Sequence, residues 1–405
     1  MMRNLSPFAS LLSMAVVGVL ALAGVAHAQG TIKIGMTSAL TGPYNEFGEG
    51  NRRGVELAIE KWNKAGGING QKIELAMLLD DQLVPDRAVQ NMRRILDNKE
   101  LVGIIGPAGS GPTLAVIDMA VADGRPYMNP TAQTPSIIYP QGTDKAPRKN
   151  VFSFALQNDV ETNVLGTYVA KRFKKIGILH ESTAYGTTAV GLIRKEIKKD
   201  ANLEPVGVES YNQRAQDMTA QLAKLQRDGA DVVVCVGLGA DLAVIRRNMS
   251  RLNFAVPLIG TNGALSLPYQ EGAGELVLGT KGTMVGSFGQ DPMNAAAKEF
   301  ADAYRAKYGT DRWWGNDPAR PQVFLALSGA NAYDAANVLF EGIRRAKSSD
   351  AQKIIQAIES IKNLQGVNAL YTFSAQRHHG IGEDSIGVFE YTKVGDKIRL
   401  GLSKD

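Results

Sequence analysis

The chain has 405 residues, 44% of them hydrophobic, enough for about two to three domains with sizeable cores. Its 45 Lys and Arg against 40 Asp and Glu leave a formal charge of +5. That excess is scattered in short clusters such as Lys171-Arg172, Lys174-Lys175 and Arg344-Arg345. Such clusters read as solvated helix surface and exclude a nucleic-acid-binding stripe.

The first residues read as an export signal. Arg3 is the one charge before a run from Leu11 to Ala26, and Ala26-His27-Ala28 sets small residues at the minus-three and minus-one positions before Gln29. A bilayer span needs about 20 apolar residues, so the run is short for an anchor. Cleavage after Ala28 is expected, and no comparable run follows. The single cysteine, Cys235, lies in Asp231-Val-Val-Val-Cys-Val-Gly237 and reads as a small core residue of a buried strand. It does not follow the cleavage site, which excludes a lipid-anchored leader.

Strand-like and helix-like segments then alternate. Thr31–Met36 alternates as a strand, and Val55, Ala58, Ile59 and Trp62 stripe one face of a helix. Ala65-Gly-Gly-Ile-Asn-Gly70 turns the chain into a strand over Lys72–Leu79. Ala88, Val89, Met92, Ile95 and Leu96 stripe the next helix, before a strand over Leu101–Ile105. The rhythm restarts with strands at Lys175–His180, Pro205–Tyr211 and Asp231–Val236. Helices follow them through Val190–Ile197, Met218–Leu225 and Leu242–Leu252. Two such blocks predict two α/β lobes with parallel strands and right-handed crossovers. From about Thr283 come helices over Asn294–Tyr308, Ala326–Arg345 and Asp350–Ile361, then strands near Ile386–Tyr391 and Lys397–Leu402. These are too few strands for a third sheet, so they must complete the first two lobes. The chain therefore crosses between lobes several times, as a restrained hinge requires.

Signals for chemistry are poor. His378-His379 are adjacent, point to opposite faces of an extended segment and read as a surface pair with no metal site. His180 ends a strand without a nucleophile beside it. Ser110 is flanked by Ala108 and Pro112, which rules out a nucleophile elbow. Gly106-Pro-Ala-Gly-Ser-Gly111-Pro-Thr113 has the glycine spacing of a phosphate-binding loop, but Pro112 stands where the lysine must be. Gly237-Leu-Gly239 lacks the third glycine of a dinucleotide fingerprint. No cofactor is implied. The 106–113 loop still opens a helix, and its backbone N–H groups form a seat for a small anion such as a carboxylate. Ser110 and Thr113 could alternatively cap that helix.

In order along the chain, Thr41-Gly-Pro-Tyr-Asn-Glu-Phe-Gly48, Ala65–Gly70, Asp80-Asp81, Ile105–Ser110, Asn129-Pro-Thr-Ala-Gln-Thr-Pro135 and Tyr185-Gly186 resemble the periplasmic leucine/isoleucine/valine-binding proteins of branched-chain amino-acid ABC transporters. The resemblance implies a type I periplasmic-binding-protein (Venus-flytrap) fold, two Rossmann-like lobes joined by a multi-strand hinge. It further implies a monomer, free in the periplasm, delivering a small-molecule ligand to an inner-membrane permease without catalysis. Residues 29–150 and 283–362 are expected in the first lobe, 151–282 and 363–405 in the second. By the same resemblance Ser110 grips the ligand carboxylate, helped by backbone groups of Thr131 and Ala132. Gln133 stands where a threonine is usual. Tyr185 reaches over from the second lobe, Phe47 is an aromatic wall, and Leu238 replaces a common tyrosine. Asn262, in Gly260-Thr-Asn-Gly263, stands where amino-acid binders carry an acid for the ligand ammonium. Either Glu181 or Asp241 supplies the missing charge, or the ligand is a carboxylate or amide without an ammonium. Tyr44, Trp313 and Trp314 are further candidate pocket aromatics. Positions matching a family disulfide are Leu83 and Gly109, so that staple is absent. A sensory module feeding a chemoreceptor or kinase is the alternative role, and a hydrolase lacks any nucleophile–base pair.

Overall fold

A computed structural model describes Met1 and residues 30–286, 293–309, 313–314, 322–323 and 326–404. The expected leader from residue 2 and its cleavage at Ala28 lie outside the described residues. The first sheet begins with β1 (Ile32–Ser38), and α1 (Asn45–Lys64) follows. Next come β2 (Ile73–Asp80), α2 (Pro85–Asp97), β3 (Leu101–Ile105) and α3 (Ser110–Asp123). Two three-residue strands, β4 (Tyr127–Asn129) and β5 (Val151–Ser153), complete it. All five strands are parallel, in the order β2-β1-β3-β4-β5.

The second sheet is built by α4 (Asn158–Arg172), β6 (Ile176–Glu181), α5 (Ala184–Ala201) and β7 (Gly207–Tyr211). It continues with α6 (Thr219–Arg227), β8 (Val232–Val236), α7 (Gly239–Arg251) and β9 (Leu258–Gly260). After α8 (Leu267–Ala273), β10 (Lys281–Val285) joins the same sheet beside β9. The chain then returns to the first lobe as α9 (Ala295–Tyr308), a β11 (Trp313–Trp314) and β12 (Gln322–Val323) pair, α10 (Ala326–Ala346) and α11 (Ala351–Glu359). Asn294 and Asp350 cap α9 and α11 by accepting backbone N–H groups, as the N-cap preference for these residues predicts. A small pair, β13 (Leu364–Gln365) and β14 (Leu370–Tyr371), precedes β15 (Ile386–Val394) and β16 (Lys397–Leu402). These last two add antiparallel strands to the second sheet, whose order is β16-β15-β10-β9-β8-β6-β7.

Each sheet is covered on both faces. Ile34, Val55, Phe300 and Leu339 bury one face of the first, and Met92, Ile104, Val116 and Tyr127 the other. Leu179, Leu225, Val233 and Ile245 pack one side of the second sheet, and Ile178, Ile193, Val232 and Val234 the opposite side. Cys235 belongs to this core, and burial pushes its thiol well above the usual range. Helices α1 and α10 approach so closely that a Cβ on Gly54 would stand 2.1 Å from the Gly329 carbonyl oxygen. Only glycine permits that contact.

The expected lobe boundaries shift. β5 pairs with β4 of the first sheet although residue 151 was expected to open the second lobe. β10 pairs with β9 although 283 was expected to open the return to the first. Val367, Tyr371, Phe373 and Ile381 pack with the first lobe's core, not the second's. The chain passes between lobes at 154–157, between β10 and α9, and at 382–385. The first and third passages begin side by side: the Ser153 N–H donates to the His378 carbonyl at 2.8 Å. His378 is fully buried rather than a surface residue, its ring facing the Arg148 and Val151 carbonyls and Glu359. His379 is half-buried and meets the Tyr139 hydroxyl at 2.9 Å. Burial holds both rings below the usual histidine range. The surface-pair reading fails because the Phe152 ring stacks on His378 at 4.2 Å and Tyr139 packs edge-on against His379.

Candidate functional site

In an open α/β sheet the crevice for a ligand lies at the carboxyl ends of the strands where strand order reverses. Here those points are β1/β3 in one sheet and β6/β8 in the other, and the two face one another across a cleft. The cleft holds a cavity of about 90 Å³. The first lobe contributes Phe47 from α1, Leu83 and Pro85 before and in α2, the Ala108–Pro112 turn, Thr131 and Gln133 after β4, and Ser328 and Asn331 of α10. The second contributes Thr183 and Tyr185 at the start of α5, Gln213 after β7, Leu238 after β8 and Asn262 after β9.

Seven of the eight expected residues therefore line one cleft. Ala132 does not: its N–H is taken by the Asn129 side chain at 3.0 Å, and the residue is buried behind the wall. Ser110 is the first residue of α3, so its N–H and that of Gly111 have no partner within the helix. The Ser110 hydroxyl accepts the N–H groups of Gln133 and Thr134, both at 3.2 Å, which leaves its own O–H to donate. Capping is thus not its role. The N-cap is Gly109, and Thr113 donates instead to the Pro107 carbonyl. Thr131 is fixed by donating to the Ala108 carbonyl at 2.8 Å and accepting from Asn51 at 3.2 Å. Gln133 lines the cleft and is only 7% exposed, and its amide oxygen is buried without a hydrogen-bond partner among the described residues. A buried amide left so is normally completed by water or ligand.

From the second lobe, the Tyr185 hydroxyl pairs with the Thr261 hydroxyl at 2.7 Å. A Cβ on the neighbouring Gly186 would meet the Glu181 carbonyl oxygen at 2.0 Å, which explains the Tyr185-Gly186 pairing in the sequence. The Asn262 N–H donates to Glu161 at 2.8 Å, and Thr283 donates to the same oxygen at 3.0 Å. Glu161 is fully buried, and its other oxygen has no partner among the described residues. Burial pushes its carboxyl up to about 8, so it is largely neutral at pH 7. It sits behind Asn262 and does not line the cleft.

The two carboxylates expected as substitutes for an acid at Asn262 are otherwise engaged. Glu181 accepts from the N–H groups of Thr183 and Gly186 and from the Thr183 hydroxyl, at 2.8, 2.6 and 2.7 Å. Asp241 accepts from Tyr44 at 3.0 Å, and burial pushes its carboxyl up to about 6. Tyr44 accordingly is no pocket aromatic. The Trp313 and Trp314 side chains lie outside the described residues. His180 meets the Glu181 carbonyl at 2.9 Å and stands outside the wall. Tyr185 apart, no ionisable side chain lines the cleft among the described residues. Sequence reasoning did not reach Thr183, Gln213, Ser328 and Asn331. The last two sit on a helix more than 200 residues from Ser110 along the chain, and nothing local marks them.

The sequence pattern of the periplasmic binding protein family matches residues 31–393. A leucine-, isoleucine-, valine-, threonine- and alanine-binding protein of Pseudomonas aeruginosa is 28% identical over 346 residues, covering 84% of this chain and 86% of its own. A Leu/Ile/Val-binding protein homolog of Brucella melitensis is 28% identical over 96% of this chain and 98% of its own. A periplasmic binding protein type 1 of Bordetella pertussis, solved by crystallography, is 67% identical with a TM-score of 0.90, covering 92% of this chain and all of its own. A branched-chain amino acid transporter substrate binding protein of Streptococcus pneumoniae shares the fold at 22% identity and a TM-score of 0.74, covering 93% of this chain. A two-lobed α/β architecture with a cleft at both switch points, and a family match over nearly the whole described chain, agree: the protein belongs to the periplasmic binding protein family, with the type I fold of the leucine/isoleucine/valine-binding proteins.

Proposed function

We propose that this chain is the solute-capturing subunit of an ABC importer, working in the periplasm, and that it holds a small carboxylate between its lobes without chemistry. The observation that carries the reading is the start of α3 in the cleft, where the Ser110 and Gly111 N–H groups have no partner within the helix and Ser110 lines the same cleft as Tyr185 and Asn262. A carboxylate at that helix terminus is stabilised by the unpaired donors and the helix dipole together. Phe47, Leu83 and Leu238 offer apolar surface for its body. The ligand supplies the differential affinity that favours the closed lobes.

The names of the relatives favour a branched-chain or other small amino acid. The uncharged wall favours a second class, a carboxylate or amide without an ammonium. A buried ammonium lacking a counter-charge costs several kcal/mol, and Asn262 offers only an amide. Thermal-shift measurements with L-leucine, L-valine, L-threonine, 4-methylpentanoate and benzoate decide between them. Strong stabilisation by the amino acids with 4-methylpentanoate inert establishes the first class, and the reverse establishes the second. No shift with any of the five counts against the carboxylate reading. Capture of an inner-membrane permease from detergent extract supports import, whereas recovery of a chemoreceptor or kinase assigns a sensory role.

A further inference from the structure

A second set of contacts joins the lobes beside the pocket. The hydroxyl of Tyr44, just before α1 on the first lobe, donates to both carboxylate oxygens of Asp241 in α7 on the second, at 3.0 Å each. The same hydroxyl accepts the Arg214 N–H at 2.9 Å, and that N–H also lies 3.2 Å from Asp241. The Arg214 guanidinium reaches back to the first lobe, donating to the Gln82 carbonyl at 3.0 Å and standing 5.6 Å from the centre of the Tyr44 ring. None of the three lines the cleft. They adjoin an apolar cluster that does: Tyr44 packs with Phe47, Leu83 and Ala108 of the first lobe against Leu238 and Ala240 of the second.

Tyr44 and Asp241 are 2% and 3% exposed. Each meets the other from the opposite side of the cleft. Hydrogen bonds to an ionised group in a water-poor site are stronger than neutral ones, so opening the lobes forfeits more than ordinary surface contact. Arg214 moreover holds a left-handed backbone at φ 67°, uncommon for a non-glycine residue. That conformation aims its N–H at the Tyr44 hydroxyl and is a local cost set against the contact.

We infer that Tyr44, Arg214 and Asp241 form a clasp that holds the lobes closed, and that these positioning residues thereby set solute affinity without touching the solute. The affinity half rests on the cleft being the solute site, as proposed above; the closure half does not. A clasp raises the closed population before any ligand contributes, and apparent affinity scales with that population.

Small-angle scattering of the protein without added solute tests closure directly, comparing wild type with Tyr44→Phe and Arg214→Gly. Both variants are expected to show a larger radius of gyration than wild type. Glycine keeps the backbone N–H and suits the left-handed conformation, so Arg214→Gly is expected to leave urea stability unchanged or raised while opening the lobes. A merely structural arginine would not give that split. Calorimetry with L-leucine and 4-methylpentanoate reads affinity: a probe bound by wild type is expected to bind each variant about tenfold more weakly, roughly one lost hydrogen bond to a charged group. Scattering that is unchanged in both variants, or already open in wild type, overturns the clasp whatever the probes do. Failure of wild type to bind either probe counts against the proposed ligand class and leaves scattering to decide the clasp.

Discussion

The N–H of Asn262 and the hydroxyl of Thr283 both donate to one oxygen of Glu161, and the other oxygen has no partner among the described residues. One buried carboxyl thus ties α4 to the turn that presents Asn262 to the cleft. Burial raises its folded pKa to about 8 from an ordinary 4.5. Because the folded value lies above the unfolded one, the stability gained from the neutral form is complete below pH 4.5 and is lost as pH rises through about 8. Glu161→Gln keeps the accepting oxygen and cannot ionise. Wild type is expected to lose melting temperature relative to this variant between pH 5 and pH 8, read by calorimetric scans. Parallel curves contradict the assignment.

Gln133 shows a site held at a cost to stability. Its amide oxygen is buried without a partner among the described residues, in a side chain that lines the cleft with Ser110. Gln133→Leu keeps the bulk and removes the orphan, and is expected to stabilise the ligand-free protein by about 1 kcal/mol in urea unfolding. The same change is expected to weaken solute binding roughly tenfold, since a hydrogen-bonding group of the wall is gone. A variant less stable than wild type, or of equal affinity, removes Gln133 from the site.

Gly186 sets where Tyr185 stands. With the Glu181 carbonyl oxygen 2.0 Å from any added Cβ, Gly186→Ala must displace the start of α5. Overpacking of this kind costs about 1–3 kcal/mol, and the displaced Tyr185 loses its 2.7 Å contact with Thr261. Urea unfolding reads the first effect, and near-ultraviolet dichroism of the tyrosines the second. Wild-type stability in this variant contradicts the close approach.

Legibility in the sequence followed element length and locality. β1, β3 and β8 announce themselves through runs such as Val232–Val236, buried at every position. β4, β5 and β9 have three residues each, too few for periodicity to register, and prolines at 126, 130 and 257 crowd β4 and β9. α4 escaped because its buried set mixes Val160, Leu165 and Val169 with Glu161 and Thr162, blurring the apolar stripe. The lobe boundaries slipped for a related reason: strands at 151–153 and 281–285 pair according to which sheet edge is open, and their own residues do not say which. Tyr185 and Asn262, which line the cleft, were named through the resemblance to a known family, and Ser110 also through the glycine-rich turn before it. The Tyr44–Asp241 contact joins residues 197 apart, and no local pattern encodes it.

Calorimetric titration of wild type and Ser110→Ala with the carboxylate that most raises the melting temperature bears most directly on the account. One molecule bound per chain, with at least a tenfold loss of affinity in a variant that still folds, is the result predicted from a carboxylate seated where α3 begins. Equal affinity in the two proteins would contradict it, because the anion would then be held somewhere other than between these lobes.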